Sequence, residues 1–129
     1  MYILGKIKVT TELPPELSRL KDLAYNMWWS WNNEAIDLYR AIDLALWEKL
    51  HKNPVRFLQE VNHNKLQEKL ADSSFMAQYN KVVECFDHYM SANQGTWFQT
   101  NYPDKQQEHI VYFSAEYGLH EVLPIYSGG

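Results

Sequence analysis

The 129-residue sequence holds one cysteine, Cys85, so an internal disulfide is excluded. Set among Val82, Val83 and Phe86, that cysteine reads as a small buried apolar residue. Lysine and arginine nowhere cluster, and the formal net charge is −4. Both features speak against a nucleic-acid surface, which needs a basic face. No apolar run approaches the roughly 20 residues of a membrane span. The start, "MYILGKIKVT", carries its lysines inside the apolar run and has no small-residue cleavage site, so it is not a signal peptide. No N-x-S/T acceptor occurs. The expectation is a cytoplasmic protein with neither a membrane nor a nucleic acid as partner.

Motifs for metal and nucleophile chemistry are missing as well. His120-Glu121 opens like the zinc motif H-E-x-x-H, but Pro124 stands where the second histidine belongs. His51, His63, His88 and His109 have no ligand spacing with one another, and no metal is assigned. Ser114 lacks the G-x-S-x-G frame of a nucleophile elbow.

What is present is an aromatic-rich globular composition. Hydrophobic residues make up 46% and charged residues 22%, which suits one domain with its own core. Aromatics reach 15%, with five Trp and nine Tyr. Residues 2–10 alternate loosely and read as an extended arm or short strand. The period then changes. Pro14 and Pro15 suit a helix start, and Leu17, Leu20, Ala24, Met27, Trp28 and Trp31 recur at three and four. That spacing predicts one helix running through "WWSW", with Trp28 and Trp31 in the core and one of the three rings outward. Stacking of these rings on a sugar face is the sharper alternative.

Further helices follow. Asn32 or Asn33 caps a second, over Ile36, Leu38 and Tyr39. Asp43 caps a short one with Leu46, Trp47 and Leu50 inward. Asn53-Pro54 ends that helix and opens the next, over Val55, Leu58 and Val61. Leu66 and Leu70 mark another turn or two. Asp72 or Ser73 starts a long helix to about Ser91, with Phe75, Tyr79, Val82, Phe86, Tyr89 and Met90 on one stripe. Residues 92–108 are polar, with Gly95 and Pro103, and read as a connector carrying Trp97 and Phe98. "HIVYFSAEY" (109–117) is β-branched and aromatic and reads as a buried strand. A lone strand leaves its backbone edges unpaired. The closing Ser127-Gly128-Gly129, read alone, is a flexible tail. After an apolar run it is also the kind of sequence that opens a ligand-approaching loop. The expectation is the front of a longer protein.

The stretch "YFSAEYGLHEVLPIYSGG" (112–129) resembles the start of the catalytic domain of α-glucan (glycogen/maltodextrin) phosphorylases of the bacterial and archaeal branch. "LAYNMWWSWNNEA" (23–35), "AIDLALWEKLHKNPVRFL" (41–58) and the late helix resemble the helical module preceding that domain. The resemblance implies phosphorolysis: a terminal α-1,4-linked glucose passes to inorganic phosphate, giving glucose 1-phosphate with retained configuration. It implies two Rossmann-like domains facing a cleft, and pyridoxal phosphate held on a downstream lysine. It places Ser127, Gly128 and Gly129 at the start of a phosphate-approaching loop. Glu116, by itself a solvated or capping carboxylate, would then lie near the substrate cleft.

The fold so implied is a mainly α module over 1–92, a connector over 93–108, and the first strand and glycine loop of a truncated α/β catalytic domain over 109–129. Alone, such a chain is expected neither to hold the cofactor nor to turn over. Two other readings stand beside it. One is a non-catalytic helical module for glucan binding or subunit contact, compatible with a homo-oligomer. The other is a fragment of a nucleotide-sugar glucan synthase. Such synthases resemble phosphorylases in the cleft but carry lysine two places before the glycine pair, where this chain has Tyr126.

Overall fold

The computed structural model describes residues 12–91, 95–108, 111–114 and 117–120. The expected arm at 2–10 lies outside them. Over the described residues the chain is mainly helical. A 3-10 turn, Pro15–Leu17, leads into α1, Arg19–Ala24. A second 3-10 helix, Met27–Trp31, precedes α2, Asn33–Lys49. Then come α3, Pro54–Glu60, α4, His63–Leu70, and α5, Ser73–Met90. The short α6, Trp97–Asn101, and a 3-10 turn, Pro103–Lys105, follow.

The helix boundaries follow from side chains that satisfy the orphan N–H groups of each first turn. The side-chain oxygen of Asn32 accepts from Ala35 N at 3.0 Å, and that of Asn53 from Arg56 N at 2.9 Å. Asp72 accepts from both Ser74 N and Phe75 N. Pro54 takes the first helical position of α3, where its missing N–H costs nothing. The expected break at Asp43 is a kink inside α2. Asp43 adopts φ −159°, ψ 92°, and its carboxylate accepts from Leu46 N at 3.1 Å, so the second half of α2 starts afresh. Lys65 of α4 reaches the same carboxylate at 2.7 Å. After α2, His51 (φ 52°) and Lys52 (φ 57°) turn the chain in the left-handed region. Lys52 N donates to Trp47 O at 3.0 Å, closing the helix end.

Helix α2 is the centre of the bundle, packed against α3, α4, α5 and the 3-10 helix Met27–Trp31. Its Tyr39 and Trp47 lie on either side of the kink and stack, with centroids 5.1 Å apart and planes 9° apart. Phe57 of α3 stands edge-on to both rings, and Trp29 stands edge-on to Trp47. Tyr39 Oη donates to Leu20 O at 3.1 Å, so the one polar atom of that ring is satisfied in the core. At the surface, Arg19 of α1 makes a forked pair with Asp87 of α5 and a 2.7 Å bond to Asp22. Asp87 is held below its ordinary value by that guanidinium.

Four expectations are corrected. The long helix through "WWSW" stops at Tyr25. Asn26 is extended (φ −118°, ψ 126°) and its side chain accepts from Trp28 N, capping a separate 3-10 helix. The break shifts the angular phase of everything after it. Trp28 and Trp29 are each 5% exposed, whereas Trp31 is 58% exposed and Met27 also faces out. Cys85 is exposed. It sits next to buried Phe86 in sequence, but about 100° round the helix from it. Tyr89 and Met90 are exposed, although they share the spacing of the buried stripe. The connector is not all loop: Thr96 and Gln99 form a reciprocal capping box that starts α6. Of the expected strand at 109–117 only residues 111–114 and 117 are described, and these form no strand among the described residues. Val111, Tyr112 and Phe113 are exposed, and no strand stands among the described residues to complete a ladder with them.

Candidate functional site

The residues singled out by sequence, Glu116, Ser127, Gly128 and Gly129, all lie outside the described residues. Their flank, Tyr117–His120, is described, and it lies on the helical body. Ser30 Oγ donates to Met27 O at 2.8 Å and lies 3.4 Å from Leu119 O. The His120 ring sits 4.9 Å from the Trp29 ring, centroid to centroid, at 53°. The 3-10 helix Met27–Trp31 is therefore where the "YGLH" segment meets the bundle. Sequence reasoning weighed His120 only as a metal ligand and did not select Trp29 for the core. The signal that would have found Trp29 is Asn26, a helix stop and cap two residues before Trp28; the place of His120 leaves no local signal.

A small depression of about 200 Å³ lies beside this contact, between α2 and His120. Asn33, Arg40, Trp47, Glu48 and Lys52 line it. The indole N–H of Trp47 is buried and finds no acceptor among the described residues. On the far side of α1 an open cleft of about 590 Å³ runs between Leu13, α1 and α3. Lys21, Tyr25, Val55 and Leu58 form its walls.

Among the described residues no group of three or more His, Cys, Asp or Glu is placed to hold a metal ion. The groups with shifted protonation, Asp43, Asp72 and Tyr39, line neither depression. Burial alone would raise the Asp43 carboxyl; the bonds from Lys65 and from the Leu46 and Ala45 amides outweigh it and hold the group below its ordinary value. The amides of Phe75 and Ser74 with Lys69 likewise lower Asp72. Burial pushes the Tyr39 phenol far up, so it stays a neutral donor. Among the described residues no helix is long and apolar enough to cross a membrane.

Comparison with known proteins finds relatives that are much longer. The chain is 44% identical over 122 residues to a maltodextrin phosphorylase of Thermococcus litoralis, covering 95% of this chain and 14% of the relative. It is 38% identical over 110 residues to a glycogen phosphorylase of Aquifex aeolicus, covering 85% of this chain and 15% of that one. It is 36% identical over 139 aligned residues to a glycogen phosphorylase of Mycobacterium tuberculosis, covering all of this chain and 15% of the relative. The chain thus spans about one seventh of the length of these curated relatives, at their N-terminal end. No solved structure matches it. Residues 13–123 match the model of the family described as a protein of unknown function (DUF3417), and the chain belongs to that family.

Proposed function

We propose that the chain is the N-terminal part of an α-1,4-glucan phosphorylase, which moves a terminal glucose of glycogen or maltodextrin onto inorganic phosphate. One observation carries this reading: three relatives named as maltodextrin or glycogen phosphorylases align with 85–100% of the chain, at their own N-terminal ends. The same names favour phosphorylase over a nucleotide-sugar synthase.

The described residues do not fit the family's pyridoxal phosphate. A lysine that holds the cofactor must be desolvated enough to lose its proton. No charged residue among those described is buried. Lys65, Lys69 and Lys81 are committed to Asp43, Asp72 and Glu34, and the pair with Glu34 raises Lys81. The cofactor and the phosphate-binding cations therefore belong to later parts of the whole protein. In this reading Glu116 stands near the glucan cleft, and Ser127, Gly128 and Gly129 begin a loop whose backbone N–H groups approach phosphate. Residues 1–92 form the helical module, 93–108 the connector and 109–129 the first strand and glycine loop of a Rossmann-like domain. The strand would form when its neighbours are present to complete the ladder. The whole protein is cytoplasmic and takes glucan and phosphate as substrates.

The test is the reading frame after Gly129, followed by assay of its product. We expect the frame to continue into Leu-Gly, and the whole protein to release glucose 1-phosphate from glucan and phosphate. The 129-residue chain supplied with pyridoxal phosphate should release none. A frame that stops, or turnover by the 129 residues alone, overturns the reading.

A second reading rests on the cleft beside α1, where exposed Tyr25 adjoins Lys21 and Ser18. An aromatic plane flanked by polar groups suits a sugar with one apolar face, so the module would bind glucan without catalysis. Retardation of the chain in a glycogen-containing gel, lost in Tyr25→Ala, supports this; unchanged mobility dismisses it.

A further inference from the structure

Four large apolar side chains, Met27, Tyr89, Met90 and Trp31, are exposed by 40, 52, 55 and 58%. Two end α5 and two belong to the 3-10 helix Met27–Trp31, and the two elements meet at Asn26–Met90 and Trp28–Tyr89. Asn26 Nδ2 lies 3.5 Å from Met90 Sδ, which brings the end of α5 against the residue before Met27. The Tyr89 ring lies 6.3 Å from that of Trp28, which is itself buried against Phe86. In a 3-10 helix residues three apart share a face, so Trp31 lies on the face of Trp28, one turn on, and is exposed there. Singly scattered exposed apolar groups need no explanation, but a contiguous aromatic and methionine face does. The outward side of α5 differs: Asn80, Lys81, Glu84, Asp87 and His88 present an ordinary solvated surface there.

We propose that this face is the seat of the catalytic body that follows the helical module in the same polypeptide. The proposal rests on the phosphorylase reading above. The occupant is chosen by where the chain travels. Leu119 O approaches Ser30 and His120 packs on Trp29, both on the 3-10 helix Met27–Trp31 that carries Met27 and Trp31. The segment resembling the start of the catalytic domain is thus already laid against the edge of the patch. In the relatives, much the larger part of the protein lies beyond the matched region. A body tethered at that edge meets the patch at a high effective concentration and needs little further binding energy to stay. Aromatic and methionine side chains are also those enriched at the buried centres of interfaces.

The experiment is hydroxyl-radical footprinting read by mass spectrometry, because methionine, tryptophan and tyrosine report oxidation directly. The 129-residue chain is compared with the whole in-frame protein. Labelling of Met27, Trp31, Tyr89 and Met90 is expected to be strong in the chain and to fall several-fold in the whole protein. Equal labelling in both overturns the proposal. Protection that appears in the isolated chain and grows with its concentration also overturns it, and makes the occupant a second copy.

A paired measurement guards against indirect effects. Trp31→Glu with Met27→Glu should leave the melting temperature of the isolated chain unmoved. In the whole protein the same changes should separate an earlier unfolding step from the main one. No separation counts against docking at this face. An active whole protein with an unprotected patch sinks this inference alone. A protected patch in a whole protein that makes no glucose 1-phosphate sinks the activity reading alone. A frame that stops at Gly129 removes both.

Discussion

Trp29 and Trp31 differ by two positions and by almost everything else. Trp29 is buried edge-on to Trp47 beneath His120, whereas Trp31 faces solvent. Removing a buried indole loses its transfer energy and leaves a cavity, so Trp29→Ala should cost about 3–5 kcal/mol. Trp31→Ala should move stability by no more than about 0.5 kcal/mol. Urea unfolding of the two variants checks this, and the reverse order would return the core to the continuous-helix spacing. Tyr39 is a second residue whose role is set by its surroundings. Its hydroxyl bridges from α2 to Leu20 O of α1 inside the core. Tyr39→Phe keeps the stack on Trp47 and removes only that bond, at a cost of about 0.5–1.5 kcal/mol in chemical denaturation.

Among the elements, α2 is held by two caps, one at each start. Asn32 serves the first, and Asn32→Ala should cost about 1 kcal/mol, measured by thermal or urea unfolding; Asn32→Asp, which keeps an acceptor, should restore most of it. Asp43 serves the second start from within the helix. Its non-helical backbone is what lets Tyr39 and Trp47 face one another across the kink. These caps are legible in sequence because they are local: an Asn or Asp needs only the N–H groups two and three residues on. The stop at Asn26 is equally local, yet the apolar repeat ran across it and hid it. Helix α6 was obscured in a similar way. Gly95 and Pro103 mark its surroundings as irregular, while the Thr96–Gln99 box holds five residues between them in a helix.

For the whole molecule, the carboxylates Asp43, Asp72 and Asp87 all sit below their ordinary value. Each binds a proton less readily folded than unfolded. Their contribution is therefore complete above the unfolded aspartate value of about 3.9 and is lost as pH falls through the lower folded values. Thermal melts across pH should show a steep acid limb below about pH 4. Asp43→Asn should flatten that limb and lower stability at neutral pH, since Lys65 loses its charged partner. A limb of unchanged slope would mean that the kink carboxylate takes no part in acid unfolding. The exposed pairs, such as Lys81–Glu34, should contribute little and weaken with salt.

The sequence by itself determined the helical character, most of the caps and the long buried stripe of α5, because each follows from near neighbours along the chain. It also carried a resemblance to the phosphorylase family, through the residues of "LAYNMWWSWNNEA" and of the closing motif. Only the tertiary structure decided which tryptophans are core, that Cys85 faces water, and that "YGLH" lies on the 3-10 helix Met27–Trp31. The physical reason is one of phase and distance. One extended residue rotates every side chain after it, and contacts between residues about ninety positions apart leave no periodic trace in either segment.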